Sequence, residues 1–491
     1  MRSHTAIFRL FQAALLVLIV NLQIPFCSAQ NTSKLDQTVR DVQNSSQLSH
    51  ATLSVCVYNV TKDKSVYSYE AQRSLVPASM MKILTTAVGF ERLGSTFRFK
   101  TVLKHTGKID RNGVLHGDIV IVGGGDPILG SYRYKQTTPD SLFTSWMKAL
   151  KNNGIRSING RICYDASFFD DKQHNDSWQW GDIGNYYGCG ASGLNFHENM
   201  FFVYFNGGQK VGQAATVDHT SPNGIKVHAQ NFVTTGPANS GDNVIIYGDA
   251  TSSIRIYDGT VPLGKRNFSV RGALPNPAES CASLFTAFLK SNGINVSGTP
   301  TQNLRHADGK DLMDYLSNTY YVIAQYTNLT SNNLYAESIF KYLGYKMYKK
   351  GTSENGSKAI LAYCTESGLN IDGVKLKDGC GLSRENRLTC DFMCRFLRHV
   401  ARRPIYSDFS KTLAKVGESG TAKNMLPKLP ANVAMKIKSG SMDGVKSYAG
   451  YITTAKGELL CFSIIANNFT CNPSQVQAQL EKIMMQMATM Q

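Results

Sequence analysis

Strand-forming segments stand at both ends of this 491-residue chain, and no other feature limits its fold so sharply. Residues 51–69 alternate as strands do, with a turn at Thr61 to Lys64. A helical apolar pattern follows through Ile83, Leu84, Ala87, Val88 and Leu93, and Gly94 stops it. A strand hairpin closes the chain over 432–440 and 447–467, turning at Lys456-Gly457, before a last helix from Pro473. Between these ends lies a strand-and-turn region from about 97 to 310, with helices at 141–152 and 277–292. A helical region then covers 320–327, 334–348 and 357–367. This order predicts an α/β layered domain, built from 30–96 and 311–491, split by an insertion over 97–310. Within the insertion, 202–269 reads as a nested strand-rich unit.

The N-terminus predicts export. Arg2 and Arg9 flank a basic region, an apolar run covers Ala13 to Val20, and Cys27-Ser28-Ala29 offers small residues for cleavage after Ala29. The apolar run is shorter than the roughly 20 residues of a spanning helix. A soluble, periplasmic mature chain is expected, with at most peripheral membrane contact. The formal charge is +17, or +15 without Arg2 and Arg9, and the basic residues are scattered. In an exported protein such a balance points to anionic wall polymers, acidic peptides or lipid headgroups before nucleic acid, with a merely solvated basic surface as the equal alternative. Ten of the eleven cysteines remain after residue 29, irregularly spaced. They permit disulfides without assigning any, and Cys56 and Cys461 sit in apolar runs where cysteine packs as a small hydrophobe. Cys390 and Cys394 lack partners for a zinc site, so neither metal nor cofactor is expected.

Three short motifs carry the chemistry. In Ser79-Met80-Met81-Lys82 a serine and a lysine share one face at the start of a helix, so a neutral amine can take the hydroxyl proton. Alone this is weak, because Ser145–Lys148 and Ser338–Lys341 repeat the spacing on ordinary amphipathic helices. Ser331-Asn332-Asn333 precedes a later helix, and Lys438-Ser439-Gly440 ends an alternating strand. Ser331 can pass a proton to a leaving amine, and Asn333 can hydrogen-bond a substrate amide. Lys438 adds positive charge, Ser439 a hydroxyl donor, and Gly440 lets a substrate approach the strand. Backbone N–H groups of Ser79 and Ser441 can form an oxyanion hole. Gly123-Gly124-Gly125-Asp126-Pro127 lacks the ending of a phosphate loop and reads as a turn. Asp378 to Arg384 is a glycine-rich loop that borders a site or turns the chain.

These motifs in this order, with Gly-Gly-Asp-Pro, Asp-Gly-x-Gly-Leu-Ser-Arg and the long insertion, resemble class C penicillin-binding proteins of the type-four kind. The resemblance spans nearly the whole mature chain. It implies a penicillin-binding/β-lactamase-like transpeptidase domain, an antiparallel sheet flanked by helices, split by the insertion. It also implies D-alanyl-D-alanine carboxypeptidase or endopeptidase activity on peptidoglycan stem peptides, and acylation by β-lactams. Carried over, Ser79 is nucleophile and Lys82 base, with Ser331 and Asn333 as the second element and Lys438, Ser439 and Gly440 as the third. The family has an insertion aspartate that recognises a substrate side chain. Asp165 resembles it, and a strand-end turn residue is the alternative. Cys380 stands where the family pattern has serine. Rival expectations are a β-lactamase, disfavoured by the insertion, a catalytically silent muropeptide-binding protein, and a basic adhesin.

Overall fold

The computed structural model describes residues 26–306 and 309–490. The secretory segment expected at the N-terminus therefore lies, up to residue 25, outside the described residues. Among the described residues no helix is long and apolar enough to cross a membrane.

The two ends of the chain meet in one six-stranded sheet. Its order is Ala414–Lys415, Ala434–Met442, Val445–Thr453, Leu459–Asn467, Thr52–Asn59, Lys64–Tyr69, antiparallel throughout. Strand Leu459–Asn467 is buried on both faces after its first residue, which is why it reads as a near-continuous apolar run. One face is covered by the helices Phe26–Gln43 and Pro473–Ala488, through Leu35, Val39, Leu480, Ile483, Met484 and Met487. The methionine-rich C-terminal stretch is thus core, each buried aliphatic side chain contributing roughly 1.5–3 kcal/mol. The other face carries the helix Cys390–Ala401, against which Cys56 and Cys461 pack as small apolar groups. The ten cysteines from Cys56 to Cys471 are all free.

Behind that helix lie Lys82–Leu93, Tyr320–Thr330, Asn333–Tyr348 and Ser353–Glu366. Lys82–Leu93 ends at Gly94, whose φ of 87° is the left-handed conformation that stops a helix cheaply only with glycine.

The insertion has its own sheet, ordered Thr301–Gln302, Ile162–Asp165, Ile119–Val122, Lys100–His105, Lys310–Leu316. It runs further than residue 310, because Lys310–Leu316 pairs antiparallel with Lys100–His105. Helices Pro139–Asn152 and Pro277–Ser291 pack on it, their N-termini capped by Thr138 and Asn276, each side chain accepting a backbone N–H. Between residues 200 and 273 the chain forms two small sheets. One centres on Met200–Asn206 between Thr216–Ser221 and Phe268–Ala273, the other on Ile254–Pro262. The glycine run after strand Ile119–Val122 packs tightly on the neighbouring strand: a Cβ on Gly124 would meet the Lys100 carbonyl at 1.9 Å.

Candidate active site

Ser79 sits in a single 3-10 turn, Ala78–Met81, that runs directly into the helix Lys82–Leu93. Glycines grip this turn from two sides. A Cβ on Gly440 would lie 2.7 Å from the Pro77 carbonyl and 3.0 Å from the Ser79 nitrogen, and one on Gly381 would lie 1.9 Å from the Ala78 carbonyl. The hydroxyl of Ser447 donates to the Pro77 carbonyl at 2.6 Å and ties the turn to the sheet. Glycine at 440 is therefore needed for packing against the turn that carries Ser79.

Lys82 is fully buried. Its Nζ lies 3.0 Å from Ser79 Oγ, 2.6 Å from Asn333 Oδ1 and 2.6 Å from the Cys380 carbonyl oxygen. A neutral amine in that position donates to the last two acceptors and keeps its lone pair for the serine proton. Burial holds the Lys82 pKa below 10.5, against the opposing fields of Cys380, Asp378 and Glu337.

Ser331 occupies the left-handed junction, φ 59°, between helices Tyr320–Thr330 and Asn333–Tyr348. Asn332 caps the second helix by accepting from the Tyr335 N–H, which leaves Asn333 as its first residue, facing Lys82. Lys438, also fully buried, donates to Ser331 Oγ at 3.0 Å and to its neighbour's carbonyl at 2.7 Å. Burial drives its pKa well down, and the charge of Lys82 pushes the same way. Ser439 Oγ lies 2.8 Å from Thr421 Oγ1. Hydrogen bonds thus tie the second motif to the first through Asn333 and Lys82, and to the third through Ser331 and Lys438.

A cleft of about 460 Å³ opens over Ser79, and Ser331, Asn333, Arg384 and Ser441 line it. The loop from Asp378 to Arg384 borders this site. Asp378, buried, accepts from the N–H groups of Gly381 and Ser383, from Trp178 Nε1 and from Asn386 Nδ2. Glu337 accepts from the N–H groups of Gly379 and Cys380, and so presents the Cys380 carbonyl to Lys82. It is the backbone of residue 380 that touches the lysine, so cysteine in place of serine leaves that contact intact. Glu337, Asp378 and Cys380 are the one group among the described residues with metal-ligand spacing. The hydrogen bonds of the two acids make it an internal brace. Burial pushes Glu337 up to about 7 and the Cys380 thiol well above its usual value.

Asp165 is not part of this group. Its carboxylate accepts from the Ser167 N–H at 2.8 Å and meets His306 Nε2 at 2.6 Å, at the end of an insertion strand. A strand-end turn residue is what it is. The insertion acid that lines the cleft is Asp182, in the short helix Trp180–Ile183, with its pKa raised by burial. Sequence reasoning missed it, along with Thr421 and Tyr187, whose carbonyl accepts from Asn333 Nδ2 at 2.7 Å. The nearby Trp178 and Trp180, two of the chain's three tryptophans, were the available signal.

Known proteins show the same organisation. A D-alanyl-D-alanine carboxypeptidase of Haemophilus influenzae is 24% identical over 465 residues, covering 92% of this chain and 91% of its own. A D-alanyl-D-alanine carboxypeptidase of Actinomadura strain R39 is 27% identical over 467 residues, covering 92% and 84%. The crystal structure of penicillin binding protein 4 from Haemophilus influenzae superposes with a TM-score of 0.77 at 23% identity, covering 91% of this chain and 98% of that one. The fold is therefore that of the penicillin-binding class. The D-Ala-D-Ala carboxypeptidase 3 (S13) family pattern matches residues 33–491, and this chain, a serine peptidase, belongs to that family.

Proposed function

We propose that Ser79 is the acylated nucleophile of a D-Ala-D-Ala carboxypeptidase and endopeptidase acting on peptidoglycan stem peptides in the periplasm. The observation that carries this is the 3.0 Å approach of a fully buried Lys82 amine to Ser79 Oγ. Lys82 takes the proton as Ser79 Oγ bonds to the carbonyl carbon of the penultimate D-alanine. The resulting oxyanion is held by the N–H groups of Ser79 and Ser441. As the C–N bond breaks, its electron pair stays on nitrogen, and the proton reaches that nitrogen through Ser331, which Lys438 orients. Water then attacks the ester, Lys82 again taking the proton, and Ser79 is restored.

The same acylation accounts for reaction with β-lactams, whose ring amide takes the place of the scissile bond. Asn333 is held between Lys82 and the Tyr187 carbonyl, so its amide is fixed for the substrate backbone. Asp182 takes the side-chain recognition expected of Asp165, because it is the insertion carboxylate on the cleft wall. The test is release of D-alanine from pentapeptides whose third residue does or does not carry a free amine. Asp182→Asn is expected to erase the preference for the amine, while Asp165→Asn keeps it. A preference that survives Asp182→Asn would remove Asp182 from the site.

A further inference from the structure

Beside the acylation cleft lies a second hollow of about 350 Å³. It shares Tyr187, Ser331 and Asn333 with the cleft, but Ser79 does not line it. During turnover the acyl half of the substrate stays on Ser79, and the other half leaves past the group that protonates its nitrogen. A cavity that reaches Ser331 and not Ser79 therefore opens on the departing side.

The wall of this hollow is aromatic and cationic. The Arg271 guanidinium stacks 3.7 Å over the ring of Tyr186, and Arg133 lies 4.8 Å from the ring centre of Tyr326. The two arginines are not equivalent. Arg133 is neutralised by the buried Glu198 at 2.8 Å, and that carboxylate also accepts from Ser131 Oγ at 2.6 Å and Tyr335 OH at 2.8 Å. Glu198 is thereby saturated. Arg271 makes no ion pair among the described residues, and Asp242 feels its charge only at longer range. The sixteen-residue helix Asn333–Tyr348 also starts here, with Asn332, Asn333 and Leu334 on the wall, so its positive end adds to the field of Arg271.

We propose that this hollow is a subsite for a carboxylate on the amine-side half of a cross-linked stem peptide, with Arg271 as its specificity residue. The proposal rests on the assignment of Ser79 and Ser331 above. A single departing alanine fills only a small part of such a volume. The amine-side strand of a cross-link is larger, and its own C-terminus supplies a free carboxylate in reach of a guanidinium. The subsite thus favours cleavage of cross-links over trimming of free pentapeptides.

The experiment measures kcat/KM on a purified cross-linked peptide dimer and on an uncross-linked pentapeptide, for the parent, Arg271→Ala and Arg271→Lys. Arg271→Ala is expected to lower the dimer-to-pentapeptide ratio by about tenfold or more, mainly through the dimer KM. Arg271→Lys keeps the charge and should recover most of the ratio. An unchanged ratio in Arg271→Ala, or no recovery in Arg271→Lys, would overturn the subsite. Benzylpenicillin labelling of the parent is followed alongside. An unlabelled parent sinks the Ser79 assignment itself, while a labelled parent with an unchanged ratio sinks only the subsite.

Discussion

Replacing Gly440 by alanine tests how tightly the third motif holds the Ser79 turn. The added methyl carbon would lie 2.3 Å from Ser447 Oγ, 2.7 Å from the Pro77 carbonyl oxygen and 3.0 Å from the Ser79 nitrogen. Ser447 can rotate away, at the loss of its hydrogen bond to Pro77. The two backbone atoms have little room to move, because Gly381 is also packed tightly against Ala78 and Ser79. Strand and turn must therefore separate by roughly half an ångström or more to reach ordinary contact distances, an overpacking cost of about 1–3 kcal/mol. That separation carries the Ser79 N–H away from the oxyanion position. Loss of one such donor costs about 10²–10³-fold in rate. The assay is the second-order rate of benzylpenicillin acylation by intact-protein mass spectrometry, with a thermal melt to establish folding. Adding Ser447→Ala removes the 2.3 Å contact and leaves the Pro77 clash, so it should not restore the rate. A folded Gly440→Ala protein acylating within about threefold of the parent would mean that the strand does not hold the Ser79 turn in place.

Two further outcomes follow from the buried ionisable groups. Because burial lowers the Lys82 pKa, acylation should rise with pH through one inflection below 10.5, as the amine loses its proton. Lys82→Arg, whose guanidinium stays protonated, should be slow at every pH and show no inflection. Burial pushes Asp126 up to about 7, and one of its carboxylate oxygens has no hydrogen-bond partner. The raised value means that its contribution to stability is full below the unfolded value of 3.8 and is lost as pH rises through about 7. Asp126→Asn should therefore gain stability over the parent by roughly 3 kcal/mol between about pH 5 and pH 8, read from denaturant melts. A difference that does not grow with pH would mean that Asp126 is solvated.

The sequence made the proposed acylation residues legible because that chemistry fixes residue types at short spacing. Ser79 and Lys82 must share a helix face, and Lys438-Ser439-Gly440 must end a strand, so each motif announces its local structure. The split domain was equally visible, since strands 52–59 and 459–467 are apolar runs that need each other. Contributions from backbone atoms left no such mark. The carbonyls of Tyr187 and Cys380 fix Asn333 and Lys82, and any side chain can supply a carbonyl. Asp165 misled because a strand-end acid in a turn looks available, whereas His306, far along the chain, occupies it. Asp182 was passed over because only the tertiary fold carries the helix Trp180–Ile183 to the cleft. The end of the insertion was misjudged for the same reason: the partner of strand Lys310–Leu316 is Lys100–His105, at the insertion's other end.

We propose that Ser79, deprotonated by Lys82, forms the covalent intermediate. Intact-protein mass spectrometry with and without benzylpenicillin, on the parent and on Ser79→Ala, decides the matter. One penicillin mass should be added to the parent, located by peptide mapping on the segment carrying Ser79, and none to the variant. An adduct that persists in a folded Ser79→Ala protein, or a folded parent that neither labels nor consumes benzylpenicillin, would contradict it.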